Sequence, residues 1–279
     1  MRERDIGWAV WVVLALVGST GRCHCENWDI NFGAEHKTGT FLLQDVIHFL
    51  RQSRACDEKE RQSVSGINSH FHQRILRNRK YVLMVRDPFA VVSSGYRYHL
   101  GGAEDVVMRG KGEKRTLYIG LNHLFARGES LGLPRAEEKE GYVHYLRRLN
   151  ETEGILAQML RSEKTYMPNI VYMAQQRGKS NVLVTCLEQV EQSGTDWFYR
   201  RVLSFVNFSV PCVERRGTLS KALESGNRTR NGHGTSHDRD EIQQRIARDL
   251  DLRYFDGEFA AAAATIACEG RGQGLSGRR

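Results

Sequence analysis

The sequence predicts an α/β protein in which a parallel β-sheet is flanked by helices on both faces. Three observations carry this prediction. Apolar segments rich in β-forming residues, at 80–85 and 181–186, have the length and continuity of strands buried on both faces. Segments in which apolar residues return at helical spacing lie between them, and strands that alternate with helices form parallel sheets. The chain of 279 residues contains no evident linker, so one domain is expected.

The first unit along the chain is a strand, a loop and a helix. Residues 28–32 alternate large apolar with polar side chains, as a strand with one buried face does. Apolar residues then recur at helical spacing from 38 to about 51. A loop that leads from a strand into a helix gathers free backbone N–H groups and the positive end of the helix dipole. This combination attracts phosphate.

The loop itself reads Lys37-Thr38-Gly39-Thr40. Lys37 adds a mobile positive charge, and Gly39 lets the backbone approach a ligand closely. The hydroxyls of Thr38 and Thr40 can donate to anionic oxygens. A nucleoside-triphosphatase loop would need a glycine directly before the lysine. This sequence has His36 there, which disfavours a kinase or an ATPase. The motif alone is equally compatible with an ordinary capped turn.

A second anion site is predicted after the strand at 80–85. Arg86 follows the carboxyl end of this strand, where open α/β sheets bind their ligands. Asp87 can cap a new helix and Pro88 can occupy its first position. Ser94 comes eight residues after Arg86, so an arginine and a helix hydroxyl can converge on one phosphate. The alternative is that Arg86 pairs with a nearby carboxylate and Ser94 is a solvated helix residue.

The remaining elements follow from the same patterns. The predictions are a short strand at 64–68, an exposed loop at 101–115, a mostly helical region at 137–173, helices at 197–206 and 238–252, and a basic loop between these two helices. This order continues the alternation of strands and helices that a parallel sheet requires.

The basic composition predicts an anionic partner. The formal net charge is +8 at pH 7 and the isoelectric point is about 9.3, and a basic surface raises the local concentration of phosphates, sulfates and acidic polymers. The sequence has no basic run interleaved with aromatic residues, no zinc-finger spacing and no RNA-binding aromatic motif. Nucleic acid is therefore not expected as a partner.

The N-terminal segment predicts a secretory route. Residues 6–17 form an apolar core shorter than the roughly 20 residues that span a bilayer, and small and polar residues follow it. Residues 1–22 are therefore predicted to be a signal peptide or a short signal anchor, and the two differ in whether the protein is attached to a membrane. Glycosylation triplets begin at Asn150, Asn207 and Asn227, in agreement with this route.

The domain is predicted to span residues 27–265, followed by a flexible basic tail at 266–279. The sequence contains six cysteines. Their scatter permits disulfides in an oxidising compartment but does not fix a pairing, and none has zinc-ligand spacing with histidines.

Both loop motifs resemble those of the sulfotransferases that use 3′-phosphoadenosine 5′-phosphosulfate (PAPS). The 5′-phosphosulfate loop of that family is similar to Lys37-Thr38-Gly39-Thr40. Its 3′-phosphate motif is similar to the stretch from Val85-Arg86-Asp87-Pro88 to Ser94. The family strand that usually ends in Tyr-Glu-Asp resembles 181–188, and the end of its C-terminal helix resembles 252–257. A late Arg-Lys-Gly in the family, which reaches the 3′-phosphate, is matched by Arg230-Asn231-Gly232.

This resemblance implies a P-loop NTPase-like sulfotransferase fold, PAPS as co-substrate, no metal, and transfer of a sulfuryl group to a hydroxyl. Lys37 would stabilise the charge that grows on the leaving phosphate. The base would be His70, because Ser69-His70 matches the Ser-His or Thr-His pair of many family members and an imidazole titrates near neutrality. His72, His48 or a glutamate are the alternatives.

A carbohydrate is the expected acceptor because the chain is predicted to enter the secretory pathway, with a peptide tyrosine or a small lipid behind it. The expected location is the Golgi lumen or membrane, or outside the cell. Two other functions share these motifs: a P-loop nucleotide or nucleoside kinase, and a non-catalytic glycan-binding protein on a sulfotransferase scaffold. The sequence leaves the oligomeric state open.

Overall fold

A computed structural model describes residues 29–35, 37–52, 64–68, 74–102, 115–135, 140–207 and 237–268. Its sheet has four strands in the order β2-β1-β3-β4, and every neighbouring pair is parallel. The strands are β1 (Asp29–Ala34), β2 (Val64–Asn68), β3 (Arg79–Val85) and β4 (Val182–Cys186). Because β1 and β3 are central neighbours, the loops that follow them emerge side by side at one edge of the sheet.

Ten helices surround this sheet within the described ranges. They are α1 (Thr40–Gln52), α2 (Pro88–Leu100), α3 (Arg115–Ser130), α4 (Tyr142–Arg148), α5 (Glu151–Thr165), α6 (Met167–Gln175), α7 (Leu187–Ser193), α8 (Thr195–Phe205), α9 (His237–Tyr254) and α10 (Glu258–Ile266). Helices α1, α7 and α8 pack on one face of the sheet, and α6 and α10 contribute to the core on the other. The predicted parallel sheet with helices on both faces is confirmed.

The two sheet faces follow from the alternation of side chains along each strand. Val82 and Met84 of β3 join the core beneath α1, whereas Leu83 and Val85 join the core on the opposite face. All four side chains are fully buried. This explains why the strand reads as a continuous apolar run rather than as an alternating one.

A third core lies among the helices beside the sheet, where α2 packs against α5 and α9. The approach of α2 to α5 is close, because a Cβ atom at Gly154 would lie 2.5 Å from Cε2 of Tyr96. This packing fixes the direction in which α2 leaves the sheet.

The start of α2 agrees with the prediction from its sequence. One carboxylate oxygen of Asp87, Oδ1, accepts hydrogen bonds from the N–H groups of Phe89 at 2.9 Å and Ala90 at 3.2 Å, and Pro88 is the first helical residue. The strand at 64–68 and the helices near 197–206 and 238–252 are also confirmed within a few residues.

Helices α3, α7 and α10 were not predicted. The predicted domain end at 265 falls inside α10, whose alanine run gave no helical periodicity, and the described chain continues to Cys268. Cys268 forms a disulfide with Cys186, with the two Cα atoms 5.6 Å apart, which supplies a pairing that the sequence left open. No helix within the described ranges is both long and apolar enough to cross a membrane.

Candidate anion-binding site

The loop between β1 and α1 is folded around one carbonyl oxygen. The oxygen of Glu35 accepts hydrogen bonds from the Thr38 N–H at 3.1 Å, from the Thr38 hydroxyl at 2.7 Å and from the Thr40 hydroxyl at 3.3 Å. Both threonine hydroxyls thus point to the protein rather than outward. Thr38, which is fully buried, shapes the loop in this structure.

Two residues of this loop adopt left-handed backbone conformations. Lys37 has φ 64° and Gly39 has φ 94°. Such a conformation is unusual for a lysine and stores strain of the kind that gathers at functional sites. At Gly39 a Cβ atom would lie 3.1 Å from Met84 Sδ and 3.2 Å from Leu187 Cδ1. Glycine is therefore favoured here by its left-handed backbone conformation, and a side chain would also crowd Met84 and Leu187.

Arg86 brings the second predicted motif into contact with this loop. Its Nη1 donates a hydrogen bond to the Lys37 carbonyl at 3.1 Å, and its Nε lies 3.7 Å from Oε1 of Glu188. The Arg86 side chain is 13% exposed, and its buried Nε has no hydrogen-bond partner among the described residues. Arg86 therefore pairs with a nearby carboxylate, as the alternative interpretation of its motif predicted. This contact leaves Nε without a hydrogen bond, and an incompletely satisfied guanidinium suits an anionic ligand.

The ammonium group of Lys37 lies over the ring of Tyr98, 2.8 Å from the ring centroid. Tyr98 is four residues after Ser94 in α2, so the two side chains share one helix face. Ser94 is half-buried. The loop lysine, the strand-end arginine and the Ser94 face of α2 thus converge at the carboxyl edge of the sheet.

The neighbouring face of α2 is tied to α9 through Asp240. Its Oδ1 accepts a hydrogen bond from the Ser93 hydroxyl at 2.5 Å and another from Arg97 Nη1 at 3.0 Å. Burial acts to raise the pKa of Asp240, but these hydrogen bonds and the positive charges of Arg97 and Arg86 outweigh it and hold the pKa below its usual range. Asp240 is therefore a fixed negative charge beside the site.

Glu188 is the second carboxylate near the site and lies in the first turn of α7. Its Oε1 accepts a hydrogen bond from the Asp87 N–H at 3.1 Å. Burial raises the pKa of Glu188, and backbone hydrogen bonds to the carboxylate together with the positive charge of Arg86 only partly offset it. The Glu188 carboxylate therefore binds a proton more readily than it would in water.

The predicted site residues fall into two groups. The structure brings together Lys37, Thr38, Gly39, Thr40 and Arg86, whereas Ser94 is placed only by its position one helical turn before Tyr98, whose ring the Lys37 ammonium covers. His70, its alternative His72 and the segment Arg230-Asn231-Gly232 lie outside the described residues. The other alternative base, His48, is exposed and lies eight residues along α1 from Thr40, which is about 12 Å of helix. His48 therefore lies apart from the residues that converge around the loop.

Sequence reasoning missed Tyr98 and Asp240 and matched Glu188 only as part of a strand motif. Two of these had a signal. Tyr98 stands one helical turn after Ser94, and Glu188 comes two residues after the end of a strand that neighbours β3. Asp240 lies 143 residues beyond Arg97, and nothing local in the sequence connects them.

No family model matches the chain, and no curated protein matches it by sequence. Among solved structures, the chain is similar to mouse sulfotransferase SULT7A1 complexed with PAP, at 13% sequence identity and a TM-score of 0.43. The alignment covers 77% of this chain and 69% of the mouse protein.

Proposed function

We propose that this protein is a sulfotransferase that moves a sulfuryl group from PAPS to a hydroxyl, with a carbohydrate as the favoured acceptor. The observation that supports this best is the contact between Arg86 and the Lys37 loop. Two elements suited to anions meet there, at the edge of a parallel sheet where such folds bind ligands. PAPS carries anionic groups at both ends of one nucleoside and would use both elements.

The residues present suit this donor. The left-handed Gly39 keeps the loop free of a side chain, and α1 follows directly with its N-terminal N–H groups. Arg86 supplies a guanidinium whose buried Nε has no hydrogen-bond partner among the described residues, and planar guanidinium groups suit phosphate oxygens. Phe41, 60% exposed in the first turn of α1, offers an aromatic surface beside the loop for a nucleobase.

Lys37 would carry the charge stabilisation. When bound, PAPS supplies a sulfuryl group on a phosphate leaving group, and negative charge grows on that phosphate during transfer. An ammonium at this position stabilises the transition state more than the ground state. In the structure the Lys37 ammonium rests on Tyr98, so it is already oriented by the protein.

The base is proposed to be the residue at position 70. His70 follows β2, the strand beside β1, by two residues. The carboxyl end of β2 lies at the same edge of the sheet as the Lys37 loop, since β1 and β2 are parallel. An imidazole there would accept the acceptor's hydroxyl proton as the new bond forms.

The acceptor class rests on the predicted secretory route and the net charge of +8. A glycan hydroxyl in the Golgi lumen fits both, and a basic surface favours a polysaccharide that already carries negative charge. The glycosylation triplets and the N-terminal apolar segment support the same route without identifying the acceptor.

The experiment that tests this function is incubation of the purified protein with radiolabelled PAPS and a panel of glycans, tyrosine peptides and phenols. Transfer of label to one class supports the proposal and identifies the acceptor. Binding of 3′,5′-bisphosphoadenosine (PAP) is measured in parallel by calorimetry. Magnesium-dependent ATP binding without PAP binding would support a kinase instead. Glycan binding without PAP binding would support a non-catalytic glycan-binding protein.

A further inference from the structure

The turn from β4 into α7, formed by Cys186, Leu187 and Glu188, lies against both anion-binding elements. Strands β3 and β4 are parallel neighbours, and Val85 pairs with Cys186 at their carboxyl ends. The residues that follow each strand are therefore adjacent. We call Cys186-Leu187-Glu188 the β4 corner.

Glu188 contacts the Arg86 motif at two points. Its Oε1 accepts from the Asp87 N–H at 3.1 Å and lies 3.7 Å from Arg86 Nε. The Asp87 carboxylate meanwhile caps α2. The backbone just after Arg86 is thus bound on one side by Glu188 and on the other by the helix. Any movement of Glu188 would change the direction in which the guanidinium points.

Leu187 contacts the other element. Its Cδ1 is 3.2 Å from the position that a Cβ atom at Gly39 would occupy, and Met84 lies at the same place. The residue before Glu188 therefore packs directly beneath the Lys37 loop. One short corner consequently sets the spacing between the loop and the strand-end arginine.

A covalent bond fixes this corner to the C-terminal helix. Cys186 is bonded to Cys268, 82 residues later and two residues beyond the end of α10. The same end of α10 is bound by Arg177, whose Nη2 donates to the Ile266 carbonyl at 2.8 Å. The position of the β4 corner therefore depends on the packing of α10 through a disulfide rather than through side-chain contacts alone.

We propose that Glu188 is a positioning residue for Arg86, and that the Cys186–Cys268 disulfide keeps Glu188 in place for recognition of the donor's 3′-phosphate. This inference rests on the proposed function. It assigns a role to a carboxylate and a disulfide that neither touch the donor nor enter the transfer step. Their effect is on how well the site distinguishes a ligand with a 3′-phosphate from one without it.

The test compares two ligands that differ only in that group, PAP and AMP, in calorimetric titrations of the full chain. Glu188→Ala is expected to weaken PAP binding about tenfold, in line with loss of a hydrogen bond to a charged group, and to leave AMP binding within about twofold. Glu188→Gln keeps an oxygen that can accept from the Asp87 N–H, so it is expected to restore most of the PAP affinity. A purely structural role would weaken both ligands equally.

The disulfide is tested by Cys268→Ser, alone and combined with Glu188→Ala. If the disulfide acts through Glu188, the double variant binds PAP no more weakly than the worse single variant, because the two changes remove one interaction. Additive losses would overturn this part of the inference. All titrations are made at least about 15 °C below each variant's melting temperature. Each variant is then folded during the measurement, so that a weaker signal reports binding and not unfolding.

Different results would contradict the proposed function and the positioning role of Glu188. Wild-type protein that binds neither PAP nor PAPS would contradict both. Wild-type protein that prefers PAP to AMP, together with a Glu188→Ala variant that keeps the same preference, would overturn only the positioning role.

Discussion

The ammonium group of Lys37 rests on the face of the Tyr98 ring, 2.8 Å from its centroid, and so a residue of the loop after β1 is oriented by a helix that follows β3. A lysine side chain has several rotatable bonds and adopts many conformations when it is exposed to solvent. An aromatic face that attracts the cation narrows this freedom before any ligand binds. The pairing makes α2 part of the environment of the proposed catalytic lysine.

Replacement of Tyr98 by leucine is expected to lower turnover by about twofold to 30-fold, because a cation–π contact contributes roughly 0.5–2 kcal/mol. Tyr98→Phe keeps the ring and is the matched control, with turnover close to that of the wild type. The measurement is initial rate at saturating PAPS. Equal rates for the leucine and phenylalanine variants would show that the ring does not orient Lys37.

Removal of either predicted cation should abolish most activity while the fold remains. Lys37→Ala removes the charge that we propose stabilises the leaving phosphate, and Arg86→Ala removes the guanidinium of the second element. A loss of at least about 100-fold is expected for Lys37→Ala, within the range seen when one transition-state donor is deleted. Sulfuryl transfer is measured together with the circular dichroism spectrum.

The matched controls for these cations lie at the opposite edge of the sheet. Arg79 begins β3, and Lys179 lies in the turn before β4. Alanine at either position removes one positive charge, as Lys37→Ala and Arg86→Ala do, but at a site far from the loop. Wild-type turnover in the Lys37 or Arg86 variant, or an equal loss in the controls, would contradict the assignment.

Gly39→Ala is expected to destabilise the protein and to abolish PAP binding, because the new methyl group meets Met84 and Leu187 in a left-handed backbone conformation. Gly178→Ala is the control, since Gly178 has φ 90° but a Cβ atom added there would have no neighbour within 4 Å. The difference between the two melting temperatures isolates the packing contribution. A Gly39→Ala protein that melts no lower than Gly178→Ala would contradict this explanation.

The Asp240 carboxylate should make stability depend on pH in the acid range. Its folded pKa is lowered, so its contribution to the free energy of unfolding is complete above the unfolded value of about 3.9 and is lost as the pH falls through the folded value. Asp240→Asn should therefore be less stable than the wild type at pH 7, with the gap closing below about pH 3.9. Urea denaturation across this range measures the difference.

The control for this pH dependence is Asp196→Asn. Asp196 pairs with Arg200 at 2.9 Å, but both side chains are half exposed, so solvent screens the pair and its contribution is small. A gap between wild type and Asp240→Asn that stays constant down to about pH 3, below the unfolded pKa, would show that the carboxylate is not stabilised as its contacts suggest.

His70→Ala is expected to lose turnover and to keep PAP affinity, because a base acts on the acceptor and not on the donor. His48→Ala, on the exposed side of α1, should change neither quantity. Rates and calorimetric titrations are compared for both variants. Full activity in His70→Ala would direct attention to His72 or to a glutamate.

Much of this fold could be predicted because its signals are local. The apolar run of β3 and the Asp87-Pro88 start of α2 are each contained within a few residues, and both are confirmed. Helix α10 was missed because an alanine run has helix propensity but no periodicity. Its place is fixed instead by Phe259 in the helical core and by the Asp251 carboxylate, which accepts from the Phe259 N–H at 3.0 Å.

The site was predictable only where each motif carries its own chemistry. Lys37 and Arg86 could be named from the loops that contain them, but their direct contact depends on the neighbouring positions of β1 and β3, which sequence order does not give. The roles of Thr38 and Thr40 in the structure differ from the predicted ones for the same reason. Their hydroxyls were expected to face a ligand, whereas in the structure both donate to Glu35.

The oxygen of Glu35 around which this loop folds belongs to the main chain, so no amino-acid replacement at position 35 can delete it. Mutation can reach this arrangement only through its donors, above all the buried Thr38 hydroxyl at 2.7 Å. A valine at 38 has nearly the same shape but cannot donate, and would leave a buried carbonyl with fewer partners. The tolerance of this hydrogen-bond arrangement to sequence change therefore depends most on position 38, through one hydroxyl hydrogen.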